Sequence, residues 1–468
     1  MINNPLASDL GSTDRGPVSS NASRLGFRGS NDLADGLKKG RNAFLASALL
    51  LPAVQLLFAD TVAAGEVAAD PEAVARLERQ ITKQQQQVES LQQQVNQLKS
   101  KTTELASGAP SAPGKPTEKV VTHGGAERTK LSISGWVNRM VNVVNDGDGT
   151  EAYFVDNDNS ESRLRFRGTH EISDDLTAGA YIELTIASNR SVFVSQVDQE
   201  RNNDFDQRWA EVYFDSQRYG KLSVGKGNVA AHGTAIQDLS GTNLIQYATI
   251  VDTAGGMLFR EKDTGDLTDI RILDAFNSFD GGLFRKNRVR YDTPSFYGFQ
   301  LAASAISDNR YDGALYWKGQ GYGFKAKAGA GITDPNLYDA GHVIGGSFSV
   351  LHEDTGLNLT VSAGSLDRDE GSNPTNRYAK LGWRKRLNSF GETAFSTDYT
   401  DSKNLPVSED KSNSWGLAVV QNFDKYGLEI YGAYRRHSLN RRNYSLDGSA
   451  VAAVDNIDVL SIGTRLKF

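Results

Sequence analysis

Cysteine is absent from all 468 residues, which excludes a disulfide framework, a thiol nucleophile and any cysteine-ligated metal. Histidine is scarce, and the six present show neither HExxH nor any paired spacing, so no metal site is expected. A surplus of positive charge is missing too. The net charge of −6 argues against nucleic acid as the main partner. Apolar residues make up 38%, below the ~45–50% of an ordinary globular chain. With a mean hydropathy of −0.45, a bundle of membrane helices is excluded. A membrane barrel is not, because its strands turn every second side chain toward a wet interior and average to a soluble-looking value. Glycine is plentiful, at 46 residues.

The first 127 residues divide into four pieces. Residues 1–37 read as a disordered or mis-annotated leader. Residues 38–65 open with Lys38-Lys39-Gly40-Arg41, continue as an apolar run from Ala43 to Ala59, and reach Val62-Ala63-Ala64. That order of basic, apolar and small residues is a signal peptide. A start at Leu37 gives it a normal beginning, and N-terminal sequencing of the precursor tests this. Ser23-Arg24-Leu25-Gly26-Phe27-Arg28-Gly29 also recurs, with one change, as Ser162-Arg163-Leu164-Arg165-Phe166-Arg167-Gly168, which reads as a duplicated gene fragment. Asp70-Pro71-Glu72 is a helix start. Heptads follow with Val74, Ile81, Val88 and Val95 at a and Leu77, Gln84, Leu91 and Leu98 at d, so 66–100 is expected to form a short α-helical coiled coil and to oligomerise. Residues 101–127, with Pro110, Pro113 and Pro116, read as a flexible linker.

From 128 to 468 the period is two. Leu131, Ile133, Gly135 and Val137 alternate with Ser132, Ser134, Trp136 and Asn138; Leu357, Leu359, Val361 and Ala363 form another such row. Segments of about ten residues with this alternation are the signature of a transmembrane β-barrel. Seven tight turns are expected at 173–175, 217–220, 294–298, 319–321, 353–356, 388–391 and 424–427, alternating with longer, acid- and Asn-rich loops. The fold class is therefore all-β, a transmembrane antiparallel barrel of sixteen strands. Eighteen result if 256–261 and 267–274 add a hairpin to the wall.

Four motifs in order, Ser162–Gly168, Tyr219–Lys226, Asn287–Pro294 and Arg465-Leu466-Lys467-Phe468, resemble strands two, five and six and the aromatic C-terminus of the general diffusion porins of Gram-negative outer membranes. The resemblance covers 128–468. It implies a water-filled channel for passive diffusion of small hydrophilic solutes and ions, without cofactor, metal or enzymatic step. It also implies a homo-oligomer, a trimer, in contact with outer-membrane lipid and lipopolysaccharide. Phe468 would be the signal read by the barrel-assembly machinery. The long stretch 228–285 corresponds to the family's inward-folded constriction loop.

If Leu164 and Phe166 face lipid, parity turns Arg163, Arg165 and Arg167 inward. The same reasoning turns in Arg288, Arg290, Lys325, Lys327, Lys380, Arg384, Arg386, Arg435 and Arg465, with Glu183, Asp292, Asp398 and Glu429 of opposite sign. A basic residue facing lipid at mid-membrane costs ~2–4 kcal/mol, so three successive arginines there are excluded. The family's pattern adds Lys226 and Lys286 to the basic ring. The loop supplies Asp238 and Asp252 as candidate opposing acids, although the Pro-Glu-Phe-Gly-Gly-Asp run of enteric members is absent. Because inward basics outnumber inward acids, weak anion preference is expected. Trp209, Tyr291, Trp317, Trp383, Tyr399, Trp415 and Tyr434 are expected in the interfacial girdle. Two other readings are a phosphate- or pyrophosphate-type substrate-specific porin, and a barrel anchor whose coiled coil reaches the cell wall. A barrel enzyme would need a nucleophile beside His342, His352 or His437, and none has that context.

Overall fold

A strand with one apolar and one polar row has unpaired edges, and closing the sheet on itself removes them. This chain takes that course. The computed structural model describes residues 119–121, 129–201, 205–336, 340–442 and 451–468. The leader, signal peptide and coiled coil lie outside these residues. The wall strands are β1 (Thr129–Asn145), β2 (Thr150–Asp156 and Arg163–Glu171), β3 (Leu176–Thr185), β4 (Asp206–Ser216), β5 (Gly220–Asn228), β6 (Arg285–Asp292), β7 (Phe299–Ile306) and β8 (Arg310–Gly321). They continue as β9 (Phe324–Asp334), β10 (Ala340–His352), β11 (Leu357–Arg368), β12 (Thr375–Lys385), β13 (Thr393–Lys403), β14 (Lys411–Phe423), β15 (Leu428–Asn440) and β16 (Ile457–Lys467). Neighbours pair antiparallel, and β16 returns to β1 from Trp136↔Lys467 to Asn145↔Asp458, closing a sixteen-strand barrel.

The hairpin that allowed eighteen strands is not in the wall. Leu258–Arg260 and Leu267–Arg271 pair only with each other, inside the loop 229–284. β5 meets β6 directly across that loop, from Asn228↔Arg285 to Lys221↔Asp292. Strand β2 is split by a helical turn at Asp158–Ser160, which Asn157 caps through its side chain. Residues of loop 186–205 fill the gap, with Asp156 N–H donating to Asn189 O at 2.9 Å and Ser191 N–H to Asp156 O at 2.9 Å.

Three local expectations are corrected. The turn placed at 319–321 sits later, at Tyr322-Gly323, where both residues have positive φ (52° and 77°), the backbone a two-residue hairpin requires; the flanking glycines lie within β8. The connection between β7 and β8 is only Ser307–Asn309, so connections at the loop end are not uniformly long. Within the expected linker, Lys119–Val121 forms a short strand on β1, from Lys119↔Ile133 to Val121↔Leu131.

In–out alternation is explicit on β11, where Leu357, Leu359 and Val361 are exposed on the outside and Asn358, Thr360 and Ser362 are buried within. Outward aromatics form bands, with Trp383 stacked on Phe395 (6.0 Å) near one end and Trp415 against Tyr434 (5.3 Å) nearer the other. Trp209 is a correction: it points inward, edge-on to Tyr181 at 5.7 Å. Its parity on β4 is that of the buried Glu211 and Tyr213, opposite the exposed Val212 and Phe214, so a place near the strand end does not make it a girdle residue.

The interior holds a hydrophobic core. Leu244, Ile245, Met257, Phe259, Ile272 and Phe276 of loop 229–284 pack against Met140, Tyr153, Tyr378, Tyr431, Ile457 and Val459 of the wall. Buried backbone needs partners, and inward Ser, Asn and Asp side chains provide them. Ala230 N–H donates to Ser304 Oγ at 2.7 Å, Ala231 N–H to Asp312 Oδ2 at 2.7 Å, Gln237 N–H to Ser347 Oγ at 2.8 Å, and Leu239 N–H to Ser349 Oγ at 2.9 Å. Asn157 and Asn142 donate to Leu244 O (2.9 Å) and Thr253 O (2.7 Å). The loop is thus fastened from β7 round to β2.

Candidate functional site: the charged interior

Register builds the first half of the site. Trp136 on β1 lies opposite Arg163 on β2 and Lys467 on β16. Its indole N–H donates to the carbonyls of Glu161 (2.9 Å) and Ser160 (3.1 Å). With the ring so held, three guanidiniums lie over it, those of Arg163, Arg165 and Arg465 at 4.7, 4.1 and 5.3 Å. Arg167 continues the column over Tyr181 at 5.2 Å. The cation–π attraction offsets part of the repulsion among the arginines.

Carboxylates from the next strands offset the remainder. Glu183 on β3 accepts from Arg165 Nε (2.6 Å), Arg208 Nε (2.6 Å), Arg163 Nη1 (3.2 Å) and Tyr181 Oη (2.8 Å). Arg208 also pairs with Glu161. Arg288 on β6 bonds Glu211 at 2.5 Å, and Arg290 forks onto Asp292 at 2.9 and 2.7 Å. Arg285 lies over Trp209 at 5.4 Å. Lys286 shares the inner row with Arg288 and Arg290. Lys226 does not belong to this group: it has the outward parity of Leu222 and Val224, and its Nζ sits 3.7 Å from Asp206 at the start of β4. Sequence reasoning missed Arg208, Arg285, Glu161, Glu211 and the ring of Trp136. Parity on β4 marks Glu211, since its neighbours Val212 and Phe214 face out. Arg208 follows the bulge and carries no such signal.

The second half belongs to β9–β15. Lys380 on β12 is fully buried, with Asp238 of the loop at 2.5 Å. It also donates to Gln246 O (2.6 Å), Ser240 Oγ (2.9 Å) and Thr242 Oγ1 (3.2 Å). Burial pushes the Asp238 carboxyl up, but Lys380 and the Ser240 hydrogen bond outweigh it and hold it below the usual range. Arg384 bonds Leu239 O at 3.0 Å and Glu392 at 2.7 Å. Lys327 is on the same inner face, within electrostatic reach of Asp238 and Arg384. Lys325 lies nearer the turn end, paired with Glu353 at 2.6 Å. Arg435 pairs with Asp398 at 2.6 Å, and Arg465 with Glu429 at 2.5 Å.

Asp238 and Asp252 do not form one acidic face. Asp252 accepts a hydrogen bond from Tyr247 and lies near Asp158, Arg190 and Arg285. Burial and the Asp158 carboxylate push its carboxyl up to about 7, against the Tyr247 hydrogen bond. At the C-terminus, Phe468 exchanges backbone hydrogen bonds with Gly135 at 2.9 and 3.0 Å and completes the closing seam. No cluster of His, Asp and Glu suited to a metal ion occurs among the described residues.

Three solved structures are similar to this chain. An anion-selective porin from Comamonas acidovorans aligns at 18% identity over 73% of this chain and 100% of that chain, with a TM-score of 0.51. The trimer form of OmpT, an outer membrane protein of Vibrio cholerae, aligns at 14% over 73% and 100%, with a TM-score of 0.47. The outer membrane channel DcaP of Acinetobacter baumannii aligns at 12% over 74% and 100%, with a TM-score of 0.46. At such identity the Comamonas likeness shows the barrel fold alone. No curated protein gives a significant match. The sequence model of the Gram-negative porins matches residues 105–451, well over half of the chain, and with its closed barrel the chain belongs to that family.

Proposed function

We propose that this outer-membrane porin is a passive diffusion channel for small hydrophilic solutes and ions, narrowed by loop 229–284 and weakly preferring anions. One observation carries the preference: on the inner wall the cation is the solvent-facing member of key pairs. Arg165 keeps 33% of its side chain exposed while its partner Glu183 keeps none, and Arg167 is exposed without an acidic partner within hydrogen-bonding distance among the described residues. A passing ion therefore meets guanidinium before carboxylate, and a low-dielectric wall strengthens that field. Reversal potentials across a planar bilayer in a salt gradient test this. The native channel should favour chloride, and Arg165→Gln/Arg167→Gln should move it toward neutrality or cation preference. A cation-selective native channel overturns the reading.

The three guanidiniums around Trp136 also suit a multivalent anion, which favours the phosphate-type porin as the second reading. A saturating current blocked by phosphate would select it over simple diffusion. We further propose a homotrimer, assembled through the terminal Phe468 signal. An SDS-resistant, heat-modifiable trimer band tests the oligomer.

A further inference from the structure

Inward rings on β1, β3 and β4 each carry a cation. Arg167 lies over Tyr181 at 5.2 Å, Arg285 over Trp209 at 5.4 Å and Lys221 over Tyr213 at 4.3 Å. Trp136 carries three, Arg163, Arg165 and Arg465. A ring and a carboxylate hold a cation with different consequences for a passing ion. A carboxylate cancels charge in the field the ion meets, whereas the quadrupole of a neutral ring attracts the cation and leaves its full charge in place.

Trp136 is itself firmly held. Its indole N–H reaches Glu161 O and Ser160 O, the carbonyls at the break in β2. The same break holds two of the three cations, since Arg163 Nε donates to Glu161 O at 3.0 Å and Arg465 Nη1 to Ser160 Oγ at 2.6 Å. Arg165 is the third. It sits nearest the ring, at 4.1 Å, and is the most exposed of them, at 33% of its side chain against 10% for Arg163 and 15% for Arg465. Arg163 and Arg165 share Glu183, and Arg465 has Glu429. Loss of the ring therefore lets all three settle more fully onto carboxylates, and the positive field over the lumen falls although no charge is removed. We propose that Trp136, an uncharged residue, is a positioning residue for anion preference: it shares these guanidiniums with their acids and keeps part of their charge turned to the lumen. This role rests on the anion-preferring channel proposed above. Tyr181 repeats it one rung toward the turn end, where it is the cross-strand partner of Arg167.

The test measures reversal potentials of the full chain in planar bilayers under a potassium chloride gradient. Trp136→Leu removes the ring and keeps every charge, and it should bring the chloride-to-potassium permeability ratio most of the way to unity. Trp136→Phe restores a ring face without the indole N–H and should recover much of the native ratio. Should Trp136→Leu fail to give heat-modifiable barrel, Tyr181→Leu against Tyr181→Phe makes the same comparison at Arg167, since both lack the hydroxyl and differ in the ring. A chloride-preferring native channel whose ratio is unchanged in the leucine variants overturns the positioning role and leaves the diffusion reading standing. So does a changed conductance at constant ratio, which marks a merely structural residue. Equal losses in Trp136→Leu and Trp136→Phe would assign the effect to the indole hydrogen bonds and overturn the role of the ring. A cation-preferring native channel overturns the anion reading first, and the role of Trp136 with it.

Discussion

Lys380 carries a cation with none of its side chain exposed, tolerable only because Asp238 and three oxygen acceptors surround it. Removing one member of such a pair costs about 3–5 kcal/mol, whereas replacing both by apolar groups of similar size is near neutral. Lys380→Met should therefore loosen loop 229–284 and raise open-channel noise and conductance. Lys380→Met/Asp238→Leu should restore a quiet channel. Equal behaviour of the single and double variants would show that the pair does not fasten the loop. Phe468 acts by a different contact. Its backbone pairs with Gly135, and a methyl group at Gly135 would stand 2.8 Å from the Phe468 ring and 2.5 Å from Arg163 O. Gly135→Ala should lower the yield of heat-modifiable barrel, as should loss of Phe468. Normal assembly of both would remove the C-terminal signal from the account.

Among the elements, the interior loop departs furthest from what alternation alone implies. Strand periodicity made the wall legible, because lipid outside and polar groups inside impose period two on every strand, and it placed Arg163, Arg165, Arg167, Arg288 and Arg290 on one face. It could not reveal that inward Met140, Tyr153 and Val459 serve a hydrophobic core, since a period-two reading assigns faces and not what covers them. The loop's path was illegible for a related reason: the contacts that fasten it to the wall, such as Ala230 to Ser304 and Leu239 to Ser349, are non-local. Phe259 is fully buried in that core, and Phe259→Ala should cost ~3–5 kcal/mol of local packing, seen as earlier hydrogen exchange in 229–284 with the wall unaffected. Asp252 adds a pH dependence. Its carboxyl ionises near 7 in the folded loop, against the ordinary 3.8, so docking takes up a proton between those values. Docking is therefore strongest in acid and weakens as pH rises from ~4 to ~7. Channel noise should rise over that interval and become flat in Asp252→Asn.

For the whole molecule, sixteen strands would enclose an aqueous passage, but the loop's apolar side chains occupy part of it. Under the proposed function the conducting path runs beside that core, along the wall of arginines. Excision of the hairpin and its flanks, residues 256–273, should raise single-channel conductance severalfold while preserving barrel mobility on gels. An unchanged conductance would place the constriction elsewhere. Alternation made the closed barrel legible; the bulge in the β3–β4 pairing and the break in β2, both local departures from period two, account for Arg208 and its partner Glu161.

The strand Lys119–Val121 lies along β1 on the edge shared with β16, just beyond where Phe468 ends. Tension arriving from earlier in the polypeptide would thus be delivered to the one joint where the cylinder's two ends meet. Anything that tugs on that lead would load this joint before any other part of the wall.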